Sequence, residues 1–262
     1  MNVLMCAPDF FDIEYEINPW MHEDNPVVPS KAREQWDGLR RIYSQLGWNV
    51  QLLEPVQGLP DLVFTANGGL VYDNKVVLPH FRHPDRQGET EKFRKWFENA
   101  GYTNLYSPKY DFEGEGDALI WNDVIFAGYP WRTDKPAHKE LADFLDATVV
   151  SLQLIDPRFY HLDTAFTIVD KDTVALYPKA FSEESIASVH NLVPNVIEAT
   201  DQDALAYGLN AVSDGKHIVV PEGATHVMDR FRELGLEVFP CPISEFQKSG
   251  GGVKCLTLEL RS

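Results

Sequence analysis

A recurring order of apolar and polar positions is the strongest signal in this sequence. Residues 62–81 contain two short apolar runs separated by turn-forming residues, which predicts two strands. Residues 85–102 follow, and Phe93 and Phe97 there fall on one face of an amphipathic helix. A short apolar run near 104–106 completes a unit that we predict as strand, strand, helix, strand.

The same order recurs in three further units and in a fifth that is split between the chain termini. The further units begin at residues 112, 160 and 209. Turns between the paired strands are predicted at 73–75, 122–123, 170–172 and 214–215, and helices at 31–47, 85–102, 136–147, 182–193 and 224–235. In the split unit, residues 254–260 and 2–8 supply two strands, and residues 49–55 supply the last. A repeat of about 40–50 residues is typical of repeat architectures.

These units predict a closed ring. One unit cannot bury its own apolar face, whereas several units packed around an axis can. Because the split unit joins the two termini, we expect residues 1–262 to form a single domain of α/β class. The alternative is an α/β sheet in which strands and helices merely alternate. Only the ring brings the polar segments at or just before each first strand together at one axis.

Composition and charge narrow the class of protein. The 262 residues are 44% hydrophobic and 24% charged, as in ordinary globular proteins. The formal net charge of −17 argues against nucleic acid or an anionic membrane as a partner. It favours the approach of a cationic small molecule, although plain solubility explains it equally well. No run of about 18 apolar residues predicts a membrane span.

Cysteine usage bears on the compartment. Cys6, Cys241 and Cys255 provide no disulfide framework, and the first residues lack the basic start of a signal peptide. A reducing cytoplasm is therefore the expected compartment. The sequence does not decide the oligomeric state, and a homo-oligomer is one of the alternatives.

Cys255 is the first candidate for chemistry. It follows three glycines at 250–252 and precedes an apolar strand segment. Glycines let the backbone approach a ligand closely, so a thiol at the end of such a loop can be placed as a nucleophile. Cys6 and Cys241 lie in apolar strand contexts that are typical of packed, inert thiols.

His161 and Asp163 form the second candidate. A histidine suits general acid and base catalysis because its ordinary pKa is near neutral. On a strand, residues two apart share a face, so both side chains are expected to point the same way. A surface His–Asp pair is the alternative. His80 and His83 match no zinc spacing, so we predict no metal and no cofactor.

Buried carboxylates and arginines complete the candidate site. Glu113 and Asp117 flank glycines, and a buried carboxylate needs a cationic partner. Arg86 and Arg132 lie in predicted loops, where either can grip an anionic group of a substrate or form a surface salt bridge. Carboxylates around a planar cation, a thiolate facing its central carbon and arginines at the far end together fit a guanidino acid such as arginine.

The sequence resembles the guanidino-group modifying enzymes, the amidinotransferase or pentein superfamily. The resemblance implies a five-bladed α/β propeller of ββαβ units with pseudo-fivefold symmetry. The glycine loop ending in Cys255 resembles the nucleophile loop, and His161-Leu162-Asp163 resembles the His-x-Asp catalytic segment. Glu113 with Asp117 resembles the Glu-Gly-Gly-Asp segment, with Glu115 as one extra residue.

The same resemblance implies roles for several substrate-binding residues. Glu113 corresponds to a guanidinium-binding carboxylate, and Arg132 to the arginine that binds the substrate α-carboxylate. Arg86 and Asn18 correspond to further substrate contacts.

Asn67 departs from the deiminases of this superfamily. They carry Phe-Thr-Arg-Asp where this chain has Phe-Thr-Ala-Asn at 64–67, a form that resembles the arginine dihydrolases. A neutral amide can donate as well as accept, so it can hold a neutral ureido intermediate for a second hydrolysis. The resemblance thus implies conversion of L-arginine to ornithine, ammonia and carbon dioxide. Arginine deiminase, hydrolysis of methylated arginine, amidinotransferase and a non-catalytic binding protein remain alternatives.

Overall fold

Within residues 1–261, which the structure describes, the strands form five small sheets. In this computed structural model the strands are β1 (Asn2–Cys6), β2 (Asn49–Leu53), β3 (Leu70–Tyr72), β4 (Lys75–Val77), β5 (Asn104–Tyr106), β6 (Ala118–Trp121), β7 (Val124–Tyr129), β8 (Thr148–Gln153), β9 (Phe166–Ile168), β10 (Thr173–Leu176), β11 (Asn195–Glu198), β12 (Val212–Ser213), β13 (His217–Pro221), β14 (Glu237–Cys241) and β15 (Leu258–Glu259). The sheets are β15–β1–β2, β3–β4–β5, β6–β7–β8, β9–β10–β11 and β12–β13–β14. In each, the first strand is antiparallel to the middle one and the third is parallel to it.

A helix joins the middle and third strands of every sheet, because parallel neighbours need a crossover connection. These helices are α1 (Pro29–Gln45), α3 (Thr90–Asn99), α4 (Lys135–Leu145), α5 (Glu183–Leu192) and α7 (Thr225–Glu233). Three further helices are short: α2 (Pro84–Gln87) precedes α3 in the same connection, whereas α6 (Asp201–Leu205) and α8 (Ser244–Gln247) lie in other connections. Each unit is therefore a ββαβ blade, as the repeat predicts.

The two chain termini close the ring in one blade. Val3 pairs with Glu259 in the antiparallel β1–β15 ladder, and Asn2 pairs with Asn49 in the parallel β1–β2 ladder. First strands of neighbouring blades contact one another, as β15 does with β3, β6 with β9, and β9 with β12. The predicted five-bladed α/β propeller with pseudo-fivefold symmetry is confirmed.

The hairpin turns lie where the sequence places them. Asp73 and Asn74 both adopt left-handed backbone conformations, with φ of 48° and 58°, between β3 and β4. Asn and Asp tolerate this region better than other side chains, which suits a two-residue hairpin turn. Asn122 and Gly215 take the same left-handed region in two further hairpins, with φ of 52° and 84°.

Apolar side chains between the blades form the core. Phe126 on β7 is fully buried, and its ring lies 5.1 Å from that of Phe166 on β9 in the next blade and 6.1 Å from that of Trp121. A side chain that joins two blades stabilises the ring itself as well as its own sheet.

Phe126→Ala is expected to lower the free energy of unfolding by about 3–5 kcal/mol, because the truncation leaves a cavity between two blades. Urea unfolding followed by circular dichroism measures this loss. Tyr110→Ala, at a side chain that is 46% exposed, is the matched control and should change stability little. A loss near that of the control would contradict a packing role for Phe126.

Three details differ from the sequence-based prediction. The first strands are shorter than predicted, because the polar residues before them form single 3-10 turns at Thr65–Gly68, Gly114–Gly116 and Leu162–Thr164. The prediction that His161 and Asp163 share a strand face is therefore wrong. The predicted helix at 85–102 divides into α2 and α3, and the short helices α6 and α8 were not predicted. Across residues 1–261, no helix has the length and apolar character that a membrane crossing requires.

Candidate active site

The polar segments before the first strands meet at the propeller axis, as the ring predicts. Asn67, Glu115, Asp163, Asn210 and Cys255 occupy related places in the five blades, 45 to 48 residues apart. Asn67 Nδ2 donates to the carbonyl oxygen of Glu113 at 3.1 Å, which joins the blade of β3–β5 to that of β6–β8. Asp163 and Asn210 both contact Cys255, which joins the blades of β9–β11 and β12–β14 to the blade that contains both termini.

A closed cavity of about 10 Å³ lies at the end of the propeller axis where these segments meet. That volume holds about one water molecule. Of the nine predicted site residues, six line it: Asn18, Asn67, Arg86, Arg132, His161 and Cys255. Glu113 and Asp163 lie directly behind the lining, in contact with His161 and Cys255 respectively. The predicted site residues therefore make up half of the residues that line the cavity.

The segment before α1 covers the cavity. The Ile17 carbonyl oxygen accepts a hydrogen bond from Arg132 Nη2 at 2.9 Å, and Asn18 Nδ2 donates to the Ser249 carbonyl oxygen at 3.1 Å. Trp20 Nε1 donates to the Arg158 carbonyl oxygen at 2.7 Å. A ligand larger than water therefore enters only when this segment or the side chains beneath it move.

The Cys255 thiol is buried and held from two sides. Its S–H donates to Asp163 Oδ2 at 3.2 Å, and Asn210 Nδ2 donates to its sulfur at 3.1 Å. Burial raises the pKa of this thiol well above its usual range, and the neighbouring Asp163 raises it further. Burial also raises the pKa of Asp163 to about 7. Burial and Asp163 therefore disfavour the thiolate, and a cation beside the sulfur lowers the thiol pKa.

The glycines of the nucleophile loop allow this close packing. Gly250 has φ of 81°, the left-handed region that favours glycine. A Cβ on Gly251 would lie 2.2 Å from the ring of Phe64. As predicted, the segment before Cys255 requires glycine. The backbone conformation requires it at Gly250, and the close contact with Phe64 requires it at Gly251.

Glu113 contacts both His161 and Arg132. Its Oε2 accepts hydrogen bonds from His161 Nε2 at 2.8 Å and from Arg132 Nη1 at 3.1 Å. Burial alone would raise the pKa of Glu113, but Arg132 and His161 outweigh it and hold the pKa below its usual range. Burial lowers the pKa of His161 to about 4 despite the contact with Glu113. His161 is thus a neutral base at pH 7, with Nε2 protonated towards an ionised Glu113.

Two carboxylate oxygens beside the cavity have no partner among residues 1–261. They are Glu113 Oε1 and Asp163 Oδ1, and both are buried. A buried carboxylate oxygen without a donor is costly, so native structures rarely keep one unless a ligand supplies the donor. The site is therefore built for a group with several N–H donors.

Arg86 is held in place by a carboxylate that the sequence analysis missed. Its Nε and Nη2 donate to the two oxygens of Glu89, each at 2.8 Å, and its Nη1 donates to Asn67 Oδ1 at 3.0 Å. Burial raises the pKa of Glu89 to about 7, and Arg86 partly offsets this. The spacing of three residues between Arg86 and Glu89 in a helical segment was the available signal.

Arg132 lies over the face of Tyr160, with its guanidinium carbon 4.7 Å from the ring centroid. Asp61, a buried carboxylate that lines the cavity, was also missed. It accepts a hydrogen bond from Tyr15 at 3.0 Å and lies 3.8 Å from Arg86. No local motif marks Asp61, because its partners are distant in the sequence.

Asp117 is placed differently from the prediction, since it neither lines the cavity nor faces it. Its carboxylate accepts hydrogen bonds from Thr133 Oγ1 at 2.7 Å and from the Leu162 N–H at 3.1 Å. Thr133 Oγ1 in turn accepts the N–H of Glu113 at 3.2 Å. Asp117 thus positions the backbone beside Glu113 and His161, and a direct substrate contact does not fit its location.

Next to Cys255 in the chain, Lys254 is held by two buried carboxylates. Its Nζ donates to Glu115 Oε2 at 2.6 Å and to Glu259 Oε1 at 3.1 Å. Glu115, the extra residue of the predicted carboxylate segment, therefore faces away from the cavity and along the axis.

Comparison with known proteins gives a consistent result. A family model described as "N,N dimethylarginine dimethylhydrolase, eukaryotic" matches residues 12–262. A dimethylarginine dimethylaminohydrolase of Mycobacterium tuberculosis is 44% identical over 98% of this chain and 84% of its own length. A bifunctional arginine dihydrolase/ornithine cyclodeaminase of a Nostoc species is 41% identical over 99% of this chain, which spans only 38% of that protein. The substrate-bound N-terminal domain of ArgZ, a cyanobacterial arginine dihydrolase, superposes with a TM-score of 0.96 at 39% identity, covering 100% of this chain and 98% of that one.

The propeller and its thiol-bearing axial site, taken with these relatives, define an enzyme of the guanidino-group modifying superfamily. It is a hydrolase that acts on C–N bonds of guanidino groups. The chain belongs to the N,N-dimethylarginine dimethylhydrolase family.

Proposed function

We propose that this chain is an arginine dihydrolase, which converts L-arginine and two water molecules into ornithine, two ammonia molecules and carbon dioxide. The observation that carries the proposal is the pair of unpartnered, buried oxygens, Asp163 Oδ1 on the carboxyl that contacts the Cys255 thiol and Glu113 Oε1 on the carboxylate that contacts His161. A planar guanidinium presents several N–H donors in one plane, so it can satisfy both oxygens at once. The similarity to the cyanobacterial dihydrolase domain supports the same substrate.

Cys255 is the nucleophile in this proposal. The bound guanidinium adds a positive charge beside the sulfur, which lowers the pKa of the thiol, and neutral His161 takes the proton. The thiolate forms a bond to the guanidinium carbon. His161 then returns the proton to one nitrogen, and the C–N bond breaks with its electron pair leaving on ammonia. The product of this half-reaction is a thiouronium on Cys255.

Water completes the first round. His161 accepts a proton from water, the water oxygen bonds to the carbon, and the C–S bond breaks with its electron pair returning to sulfur. This gives a ureido group. A second attack expels the remaining terminal nitrogen as ammonia, and hydrolysis of the resulting thiocarbamate leaves a carbamate that loses carbon dioxide.

Arg132, Arg86 and Asn18 are proposed to bind the amino-acid end of the substrate. All three line the cavity, and both arginines are held in fixed orientations by buried carboxylates. Each guanidinium keeps at least one N–H beyond those used by its protein partners, and because the group is already oriented, that N–H can donate to a carboxylate with little further loss of entropy. This favours a substrate with an α-carboxylate.

Asn67 is proposed to support the second round. Its Oδ1 is occupied by Arg86 and its Nδ2 donates to the Glu113 carbonyl, so one Nδ2 hydrogen remains for a ureido oxygen. Asn67→Asp should shift the products from ornithine with two ammonia per arginine towards citrulline with one, because a carboxylate repels the ureido oxygen. Quantifying ornithine, citrulline and ammonia after incubation with L-arginine measures the shift. Two ammonia per arginine from this variant would contradict the assigned role.

Hydrolysis of dimethylarginine is the second candidate, favoured by the family match and by the mycobacterial relative. The same product balance decides between them. Dimethylarginine giving citrulline and dimethylamine, with no turnover of arginine, selects this second activity. Citrulline alone from arginine selects a deiminase, and a rate that rises with added glycine or ornithine selects an amidinotransferase.

A metal chelator should not change the rate of hydrolysis, because the proposed steps use no metal. We propose the cytoplasm as the compartment of this protein.

A further inference from the structure

Asn210 contacts the nucleophile through both ends of its side-chain amide. Its Oδ1 accepts the backbone N–H of Cys255 at 3.1 Å. Its Nδ2 donates to Cys255 Sγ at 3.1 Å and to the Asp163 carbonyl oxygen at 3.0 Å. Because a backbone N–H can only donate and a carbonyl can only accept, these partners fix the amide orientation with the N–H group towards sulfur.

The chain around Asn210 is built to allow this contact. The Asn210 carbonyl oxygen also accepts the N–H of Lys254 at 3.1 Å, so one residue binds two successive amides of the nucleophile turn. A Cβ on Gly252 would lie 2.5 Å from Asn210 Oδ1. Glycine at 252 therefore lets the loop close onto the asparagine.

The other side chains near the sulfur do little to stabilise a negative charge. Those that face Cys255 are the carboxyl of Asp163, the neutral imidazole of His161, and the un-ionised phenols of Tyr160 and Tyr207. The neighbouring cation, Lys254, is paired with Glu115 and Glu259 instead. The backbone of Gly252 also lowers the pKa of the thiol, and among the side chains of residues 1–261 the hydrogen bond that the sulfur accepts comes from Asn210 Nδ2.

We propose that Asn210 is a further catalytic residue, which stabilises the Cys255 thiolate by donating from Nδ2 to Sγ while its Oδ1 fixes the turn that carries the sulfur. Asn210 is fully buried and does not line the cavity. The inference deepens the proposed function and rests on it for the role of the thiolate in turnover.

Asn210→Asp separates the two contacts. The new carboxylate keeps an acceptor for the Cys255 N–H but replaces the donor to sulfur with an oxygen. We expect the thiol pKa to rise by about one unit or more, the size of one hydrogen bond to a charged group. We also expect kcat to fall by about 10- to 100-fold with a smaller change in KM. The ultraviolet absorbance of the thiolate, titrated against pH and corrected with Cys255→Ser, reports the pKa without substrate.

Thr257→Val is the matched control. Thr257 Oγ1 donates to the Val253 carbonyl at 2.8 Å in the same turn but does not touch the sulfur. It should lower stability while leaving the thiol pKa unchanged, and Asn210→Ser serves if Asn210→Asp does not fold. An unchanged thiol pKa in both Asn210 variants, or an equal shift in Thr257→Val, overturns the inference. If the wild-type protein hydrolyses no guanidino compound, the proposed function fails, and the titration still decides whether Asn210 stabilises the thiolate.

Discussion

Cys255→Ala should abolish turnover of L-arginine, by about 10⁴-fold or more, while the protein remains folded. The proposed reaction passes twice through a bond to this sulfur, and no other thiol reaches the cavity. Cys6 and Cys241 are buried in strands, where burial raises the pKa of each to about 12, so neither can replace the nucleophile. Ornithine and ammonia release under saturating arginine is the measurement, with a urea unfolding curve to confirm folding.

Cys241→Ala is the matched control for this substitution. Cys241 ends β14, is fully buried and lies away from the cavity lining, so its truncation costs packing without touching the reaction. We expect wild-type turnover from this variant at temperatures where it is folded. Activity retained in Cys255→Ala would rule out the covalent mechanism.

Glu113→Gln should lower kcat/KM by about 10²- to 10³-fold, the effect of leaving buried charges without their partner. The amide preserves shape but removes the negative charge that faces Arg132, His161 and the bound guanidinium. The pKa of His161 falls further, because Glu113 is the group that raises it. Steady-state kinetics should show the loss in both kcat and KM. Glu184→Gln, at an exposed helical carboxylate, is the control, and a Glu113→Gln variant within about threefold of it would contradict the assigned role.

The same variant should change the acid stability of the protein. Arg132 and His161 hold the pKa of Glu113 below its unfolded value, so its ionised form stabilises the fold above the unfolded pKa. That contribution is lost as the pH falls through the folded pKa. Glu113→Gln lacks it at every pH, so its deficit against the wild type should be full at neutral pH and shrink in acid.

Much of the fold and several site residues were predictable from sequence, for a physical reason. Each blade carries its own apolar pattern and turn residues, such as Asp73 and Asn74, so local signals suffice for the ββαβ unit. The nucleophile loop and His161 lie at matching places in that repeat. Closure of the ring then brings them together, so their proximity follows from the regular spacing of the repeat.

Apart from Glu89, the residues that were missed depend on contacts between segments that are distant in the sequence. Asp61 meets Tyr15, and Asn210 meets Cys255 45 residues away, in pairs that no local motif marks. The repeat itself held a signal for Asn210, since it occupies the place of Asn67 and Asp163 in the blade of β12–β14. Asp117 was misplaced because spacing alone cannot distinguish a carboxylate that faces a cavity from one that holds the backbone behind it.

Ring closure through β15 has a consequence for the protein during its synthesis. A nascent chain that has emerged only as far as β14 already contains Glu113, His161 and Asp163, but Cys255 is still inside or near the ribosome. Meanwhile β1 has no β15 to pair with, because Glu259, the partner of Val3, has not yet been made. Cys255 and the strand that completes the ring therefore arrive together. On the proposed mechanism, any fragment that stops before Cys255 is inactive, so hydrolysis reports that the blade of β15, β1 and β2 has been assembled.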